Sequence, residues 1–225
     1  MIMNTTLVFY LGLHLLGDFY FQSDTMAEKK RTAFSMVIVH GLIYALPFLL
    51  VFAFGNIVAF FVLVVSHVLL DALKFVVERT LGSNGVAFVF DQLLHLLCLL
   101  FVVAVFPASI AFVDTYAMQV RAFVLLLAAV KPVSVLFLQV LGYLKPGNLP
   151  SGKSGAGKII GYLERLLLAS LFLMGQLGAI GWVIAAKAFA RSRQISESPE
   201  FCEYFLVGTL FSLLSVVALY GLLFH

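Results

Sequence analysis

The chain has 225 residues, of which 63% are hydrophobic and only 11% are Asp, Glu, Lys or Arg. Soluble domains carry about 25% charged residues, so this composition excludes a large aqueous domain and indicates a membrane protein. The net charge of +3 is too small to suggest nucleic acid as a partner. The two cysteines, Cys98 and Cys202, lie in or beside apolar segments and predict packing roles rather than a disulfide.

Apolar segments long enough to cross a bilayer recur seven times along the chain. Each crossing needs about 20 residues. The predicted spans lie near residues 4–22, 34–54, 56–77, 86–106, 115–135, 159–183 and 202–223. The first has no basic region before it and is expected to be retained rather than cleaved as a signal peptide. The expected fold class is therefore an all-α, polytopic transmembrane helix bundle of about seven spans.

Three successive parts are expected within one integral membrane domain. Residues 1–106 form a four-helix front bundle. Residues 107–158 contain the fifth span and end in the polar, glycine-rich loop 145–158. Lys131-Pro132 would kink or end a helix in this part, so residues 133–144 are alternatively an amphipathic helix at the membrane surface. Residues 159–225 form the last two spans.

The positions of basic residues predict how the chain is oriented. Lysines and arginines follow the predicted first, third and fifth spans, in the stretches 29–31, 74–79 and 145–158. Cytoplasmic loops are enriched in these residues, so the N-terminus is expected outside and the C-terminus in the cytoplasm. Lys187, Arg191 and Arg193 disagree, because this arrangement leaves them outside. Either nearby glutamates pair with them, or the span count is off by one after residue 110.

Four histidines and three aspartates inside the first four predicted spans are the most informative feature of the chain. Such groups are costly in hydrocarbon and need a partner or a function. Six of the seven form i,i+4 pairs, which share one helix face. The pairs are His14/Asp18, His67/Asp71 and Asp91/His95, with His40 alone on the second span.

The depths of these seven residues match across the four spans. At 1.5 Å per residue, the aspartates and His40 lie about 8–9 Å from the cytoplasmic end of their spans. The other three histidines lie one turn deeper, at about 14–15 Å. The sequence therefore predicts one shared pocket, with carboxylates above a deeper ring of imidazoles, in the cytoplasmic half of the bilayer.

Imidazole and carboxylate are the ligands that Zn²⁺, Mn²⁺ and Fe²⁺ prefer in such sites. All seven residues are candidate metal ligands, for two ions or for one ion with a general base and supporting carboxylates. Asp91 is the candidate catalytic residue, either bridging two ions or acting as general base. The favoured hypothesis is a metal-dependent membrane hydrolase acting on lipid headgroups or other amphiphiles.

Two other functions stay open. A divalent-cation or proton-coupled transporter needs polar groups along the full crossing, and the outer halves of spans 1–4 supply almost none. A non-catalytic membrane assembly subunit would use the polar cluster only to fix helix packing. In that case, replacing a single histidine would impair folding rather than activity.

A second set of charged residues lies on and between the last two predicted spans. It could be a structural charge network or could bind a substrate headgroup. Glu203 is expected to pair with Lys187 or Arg191. The set comprises Glu164, Arg165, Lys187, Arg191 and Glu203.

At these positions the chain resembles a bacterial family catalogued as domain of unknown function 3307. The first-half motifs are His14-Leu-Leu-Gly-Asp18-Phe with Gln22 and Met26-Ala27, His40-Gly41, His67-x-x-x-Asp71 and Asp91-Gln92-x-x-His95. The second half adds Gly161-Tyr-Leu-Glu164-Arg165, Ala179-Ile-Gly181, Lys187, Arg191 and Glu203-Tyr204 with Gly208-Thr209. The resemblance covers nearly the whole chain and implies a multi-pass protein of the bacterial inner (cytoplasmic) membrane. It implies no particular activity. The residue types also resemble, more loosely, those of membrane-bound metal-dependent hydrolases.

Overall fold

The computed structural model of the protein describes residues 3–81, 85–141 and 155–225. Every regular element in these three ranges is a helix, as the sequence predicts. Most of the predicted polar loop, residues 145–154, lies outside the described residues. The described chain divides into two compact units, residues 3–127 and 128–225.

The first unit holds the four helices on which the candidate ligands were predicted. Asn4 starts the first helix by accepting hydrogen bonds from the backbone N–H groups of Thr6 and Leu7. The elements are α1 (Thr5–Leu15), a π-helical turn (Leu16–Tyr20), α2 (Asp24–Lys30), α3 (Phe34–Ala53), α4 (Ile57–Leu81), α5 (Gly85–Val105), α6 (Ala111–Thr115) and the first part of α7 (Ala117–Leu141).

Five helices in the described residues are long and apolar enough, by length and composition, to cross a membrane. They correspond to the predicted spans 34–54, 56–77, 86–106, 115–135 and 202–223. The first predicted span is divided between α1 and the π-helical turn. The protein is therefore a helical membrane protein, while the number of seven spans and the orientation of the termini stay predictions.

Pro132 does not end α7. The helix continues through this residue to Leu141, so residues 133–141 do not form the separate surface helix given as an alternative. Residues 142–144 of that alternative lie outside the described residues. A proline within a helix removes one backbone hydrogen bond and leaves a carbonyl oxygen open to another donor.

An apolar core fills one end of the first unit. Its fully buried members include Tyr10, Phe48, Leu63 and Val102, which come from four different helices. At the far side of this core the Asn56 side chain donates to the Tyr10 hydroxyl at 3.2 Å. Along each helix these residues lie on the same side of the candidate ligands, so the core separates the ligands from the Asn56 end.

Two glycines allow the helices that carry the candidate ligands to approach closely. A Cβ atom on Gly17 would lie 2.7 Å from Cδ2 and 3.3 Å from Cα of Tyr44 on α3. A Cβ atom on Gly41 would clash with the side chain of Val68 on α4. These contacts explain why each glycine lies beside a ligand in the sequence, next to Asp18 and His40.

The second unit contains a helical hairpin where the sequence predicted one continuous span at 159–183. That prediction was wrong: the chain turns at Gly175, whose φ of 68° lies in the left-handed region that favours glycine. Lys187, 12 residues after Gly175, bonds Glu164, 11 residues before it, so the two helices are antiparallel. The elements after α7 are α8 (Ala156–Leu173), α9 (Leu177–Ala190), α10 (Ser192–Glu197) and α11 (Pro199–Phe224).

We expect Gly17→Ala to lower the stability of the detergent-solubilised protein by about 1–3 kcal/mol, because the added methyl group overpacks a tight contact with Tyr44. Thermal unfolding followed by circular dichroism measures the change. Gly178→Ala in α9 is the matched control, since its Cβ atom would meet nothing within 4 Å. There the substitution should be neutral or stabilising, as alanine favours helix. Equal melting temperatures for the two variants would contradict the packing argument.

Candidate metal site

The structure brings all seven predicted residues together in the first unit. They come from α1 and its π-helical turn, α3, α4 and α5. None is more than 8% exposed, and the two most central histidines are almost completely buried. The seven are His14, Asp18, His40, His67, Asp71, Asp91 and His95.

Three donor atoms form a triangle at the centre of the cluster. His40 Nε2 lies 3.1 Å from Asp18 Oδ1 and 3.2 Å from His67 Nε2. His67 Nε2 lies 3.9 Å from Asp18 Oδ1. Ligands about 2.0–2.1 Å from a tetrahedral ion lie about 3.3–3.4 Å apart. The triangle therefore has the size of one face of a tetrahedral metal site.

A second group of possible ligands shares one residue with this triangle. One donor atom each from His67, Asp71 and His95 lies within 4.8 Å of the others. A neutral imidazole has a single lone pair, so His67 can serve only one ion at a time. This sharing favours one ion over the two that the sequence left open. His14 and Asp91 lie outside both groups.

His95 is held with a lone pair available inside the cluster. Its Nδ1 lies 2.8 Å from the backbone carbonyl oxygen of Asp91, and a carbonyl only accepts hydrogen bonds. The ring proton is therefore on Nδ1, and Nε2 carries the lone pair. Within the described residues this buried Nε2 has no hydrogen-bond partner. Buried polar atoms are rarely left unpaired, so the orphan atom points to a missing ligand.

Tyr44 organises the histidines, and the sequence analysis missed it. Its ring stacks on the His67 ring with centroids 3.5 Å apart and planes 1° from parallel. Its hydroxyl lies 3.1 Å from His14 Nδ1. Partners of this kind fix the orientation of metal-binding imidazoles. The available signal was the i,i+4 spacing from His40, which places Tyr44 on the same face of α3.

Two lysines reach the buried carboxylates. Lys30 Nζ lies 2.8 Å from Asp71 Oδ2, and Lys74 Nζ lies 2.8 Å from Asp91 Oδ2. From the sequence, both lysines were predicted to be loop charges that mark the cytoplasmic side. They instead extend long side chains into the cluster, so the carboxylates are capped by ammonium groups.

Asp18 is the aspartate of the cluster that has no lysine partner among the described residues. Its Oδ1 faces His40, and its Oδ2 accepts a hydrogen bond from Gln92 Nε2 at 3.0 Å. Three carboxylates and two ammonium groups leave a net charge of −1 when the imidazoles are neutral. An uncompensated buried charge is expensive, so the site favours a cation beside Asp18.

The π-helical turn is the local feature that presents Asp18. The backbone N–H of Phe21 bonds to the carbonyl oxygen of Leu16 at 2.8 Å, five residues back. Single π-helical turns occur mostly within helices and often at functional sites. Here the turn follows directly after His14 and carries Asp18 toward α3.

The second set of charges forms a separate network in the second unit. Lys187 Nζ bonds both carboxylate oxygens of Glu164, at 2.8 and 2.6 Å, and Thr209 Oγ1 at 3.0 Å. Arg191 donates to Gln194 at 2.8 Å. Glu203 is exposed. The expected pairing of Glu203 with Lys187 or Arg191 was therefore wrong, because Glu164 takes Lys187.

Arg165 supports α7 where the proline weakens its backbone. Its Nε donates to the carbonyl oxygen of Ala129 at 2.6 Å, and Nη2 donates to that of Val130 at 3.2 Å. It also bonds the Ser134 and Ser212 hydroxyls. These partners favour the structural alternative for Arg165 over headgroup binding.

The fold and the site define a helical membrane protein with a buried histidine–aspartate centre. The chain belongs to DUF3307, a family described as proteins of unknown function, whose match covers residues 6–124. The match coincides with the first unit, which carries the centre, and ends before the second-half motifs of the resemblance. No curated protein and no solved structure shows a significant match to the chain.

We expect Lys187→Met to destabilise the protein by about 3 kcal/mol, because the Glu164 side chain, which is only 9% exposed, would be left unpaired. The double variant Lys187→Met/Glu164→Gln should recover most of the loss, as measured by thermal unfolding. The control is Arg193→Gln, which breaks a pair whose side chains are 88% and 61% exposed. Exposed pairs contribute about 1 kcal/mol or less. Equal losses for both single variants would contradict the assignment of a buried pair.

Proposed function

We propose that this protein is a metal-dependent integral membrane hydrolase. One divalent ion lies against Asp18, His40 and His67 in the cytoplasmic half of a bacterial inner membrane, with the N-terminus outside. The observation that carries the proposal is the triangle of three donor atoms at 3.1, 3.2 and 3.9 Å. The triangle has the size of one face of a metal site. The Asp18 carboxylate, which has no lysine partner among the described residues, favours a cation there.

The donor set narrows the choice of ion. Two imidazole nitrogens and one carboxylate oxygen, with a position left for water, are typical of catalytic Zn²⁺ and also suit Mn²⁺ or Fe²⁺. The nearest further ligand is Asp71, whose Oδ2 lies 3.5 Å from both Nε2 atoms. All these residues are buried, so the surroundings are dry and electrostatic effects are strong.

The residues around the ion have separate roles in hydrolysis. The ion would make a bound water a better nucleophile near neutral pH and polarise the scissile group. Asp91 acts as general base through Oδ1, which is buried and has no hydrogen-bond partner within the described residues. The lone pair on His95 Nε2 orients the attacking water. Tyr44 and His14 hold the imidazole rings in place.

Two observations weigh against the alternatives. A transporter needs a polar path, but the apolar core of the first unit separates the ligands from the Asn56 end. An assembly subunit that uses the cluster only for packing should satisfy its buried polar atoms. Within the described residues, His40 Nδ1, His67 Nδ1 and His95 Nε2 are buried without a hydrogen-bond partner, which does not fit that role.

We expect the purified protein to contain one equivalent of zinc, manganese or iron by inductively coupled plasma mass spectrometry. Asp18→Asn, His40→Ala and His67→Ala should each lose the ion and ester hydrolysis together, because each removes one donor of the triangle. A chelator should remove activity reversibly from the unmodified protein.

Matched controls are Asp24→Asn and His225→Ala, whose side chains are exposed. Both should retain metal and activity. Metal-free, folded protein in every preparation, or full metal content in the His67→Ala variant, would refute the proposed site.

A further inference from the structure

The two lysines form the rim of the candidate metal site. Their side chains are 13% and 19% exposed, whereas those of their aspartate partners are 2% and 5% exposed. Lys30 comes from α2 and Lys74 from α4, so the rim is built by two separate elements. A molecule that enters the site on this side meets two ammonium groups before it meets the imidazoles.

Metal binding and the Lys30 contact compete for one oxygen atom. Asp71 Oδ2 accepts the hydrogen bond from Lys30 and also lies 3.5 Å from His40 Nε2 and His67 Nε2. A cation held by those nitrogens would attract the Asp71 carboxylate and weaken its bond to Lys30. The ammonium group of Lys30 then becomes available to a second acceptor.

The charge of the loaded site indicates what that acceptor is. The cluster carries −1 with neutral imidazoles, so a divalent ion brings it to +1. A neutral ester or amide carries no charge in its ground state through which these cations could bind it. A phosphate group carries one or two negative charges and several strong acceptor oxygens, and lysine is a common phosphate ligand.

We propose that the substrate of this site is a phosphate ester whose phosphate is bound by the ammonium groups of Lys30 and Lys74, an inference that rests on the proposed hydrolase function. Water attacks phosphorus and forms a new P–O bond, while the bond between phosphorus and the ester oxygen breaks. The water proton passes to Asp91 Oδ1 and then to the departing alcohol. One water is consumed, and the products are an alcohol and a phosphate.

The test measures binding of phosphatidic acid in nanodiscs and of soluble glycerol 3-phosphate to the metal-loaded protein by calorimetry. Phosphate release is followed as KM and kcat, and a neutral carboxylic ester serves as comparison substrate. Lys30→Met and Lys74→Met remove the ammonium groups. Lys30→Arg and Lys74→Arg retain the positive charge, so they distinguish loss of charge from misfolding. Lys29→Met is the matched control, because Lys29 is an exposed neighbour on α2.

We expect each methionine variant to weaken phosphate binding and raise KM about tenfold or more, because each variant loses one charge-assisted hydrogen bond. The metal content of the Lys30→Met variant should be unchanged or higher, since a competitor for Asp71 is gone. The arginine variants should recover binding, and Lys29→Met should behave as wild type. Preference for phosphatidic acid would identify a lipid headgroup, and equal binding of glycerol 3-phosphate would identify phosphate esters in general.

Two results would overturn the inference while leaving the metal site in place. One is metal-loaded protein whose phosphate binding is the same with and without the lysines. The other is faster hydrolysis of the neutral ester than of either phosphate ester. Absence of metal from the wild-type protein would instead refute the proposed function, and this inference with it.

A separate observation concerns the side of the membrane on which the C-terminus lies. Contacts between α8 and α11 keep the same order along both helices: Arg165 bonds Ser212, and the Phe172 and Tyr220 rings lie 5.4 Å apart. These two helices are therefore parallel, while α9 runs back between the turn at Gly175 and α10. The beginning of α8, the end of α9 and the beginning of α11 lie at one end of the second unit.

This arrangement removes the disagreement in the distribution of basic residues. Lys187, Arg191 and Arg193 lie at the same end as Lys158, so all four can face the cytoplasm. We infer that the C-terminus lies outside, on the same side as the proposed N-terminus, and not in the cytoplasm as the sequence predicted. The result holds whether the hairpin crosses the membrane or turns back within it.

Labelling of intact cells with a membrane-impermeant maleimide tests this arrangement. The His225→Cys variant should be labelled in intact cells, and the Arg193→Cys variant only after permeabilisation. The wild-type chain measures the background labelling of Cys98 and Cys202. Labelling of both positions on one side would show that α11 does not cross the membrane and would refute the inferred side of the C-terminus. The reverse pattern would refute the orientation.

Discussion

Charge balance in a dry interior is the constraint on which the rest of the structure depends. Three carboxylates are buried among four helices, and two of them are paired with lysines that reach in from the rim. Asp18 is left facing two imidazoles and an amide. Because an unbalanced charge is costly where water is excluded, this one carboxylate is the main reason that we propose a cation at the cluster.

The fold supplies that site with close and one-sided packing. Gly17 and Gly41 allow the helices to approach, and the π-helical turn brings Asp18 toward α3. Tyr44 stacks on His67 and belongs both to the site and to the apolar core beyond it. That core separates the candidate ligands from the Asn56 end of the unit, and the two lysines lie at the opposite end. This apolar core on one side of the cluster is the reason that we favour hydrolysis over transport.

Much of this centre could be predicted from the sequence because its residue types are rare in apolar helices. The i,i+4 pairs and their matched depths identified the seven residues and their convergence. Lys30 and Lys74 were missed because a lysine near a helix end usually points to water, and only tertiary structure shows that these point inward. Tyr44 was hidden among the many aromatic residues of apolar segments.

The second half of the chain was harder to predict for a different reason. A hydropathy window cannot distinguish one long helix from two that meet at a turn, and only the backbone at Gly175 reveals the turn. The same break is the basis on which we infer that the basic residues near 190 face the cytoplasm. Glu164 and Arg165 contact other helices, and their partners could not be predicted from the sequence without the position of the turn.

X-ray absorption spectroscopy of the purified protein tests the central claim most directly, because it reports the atoms around a bound ion. The account predicts a shell of nitrogen and oxygen ligands at about 2.0–2.1 Å, with the outer-shell scattering of two imidazole rings. That outer-shell scattering should be lost in the Asp18→Asn/His40→Ala variant. A spectrum without imidazole scattering, or an ion bound equally well in that variant, would contradict the claim that Asp18, His40 and His67 hold the metal.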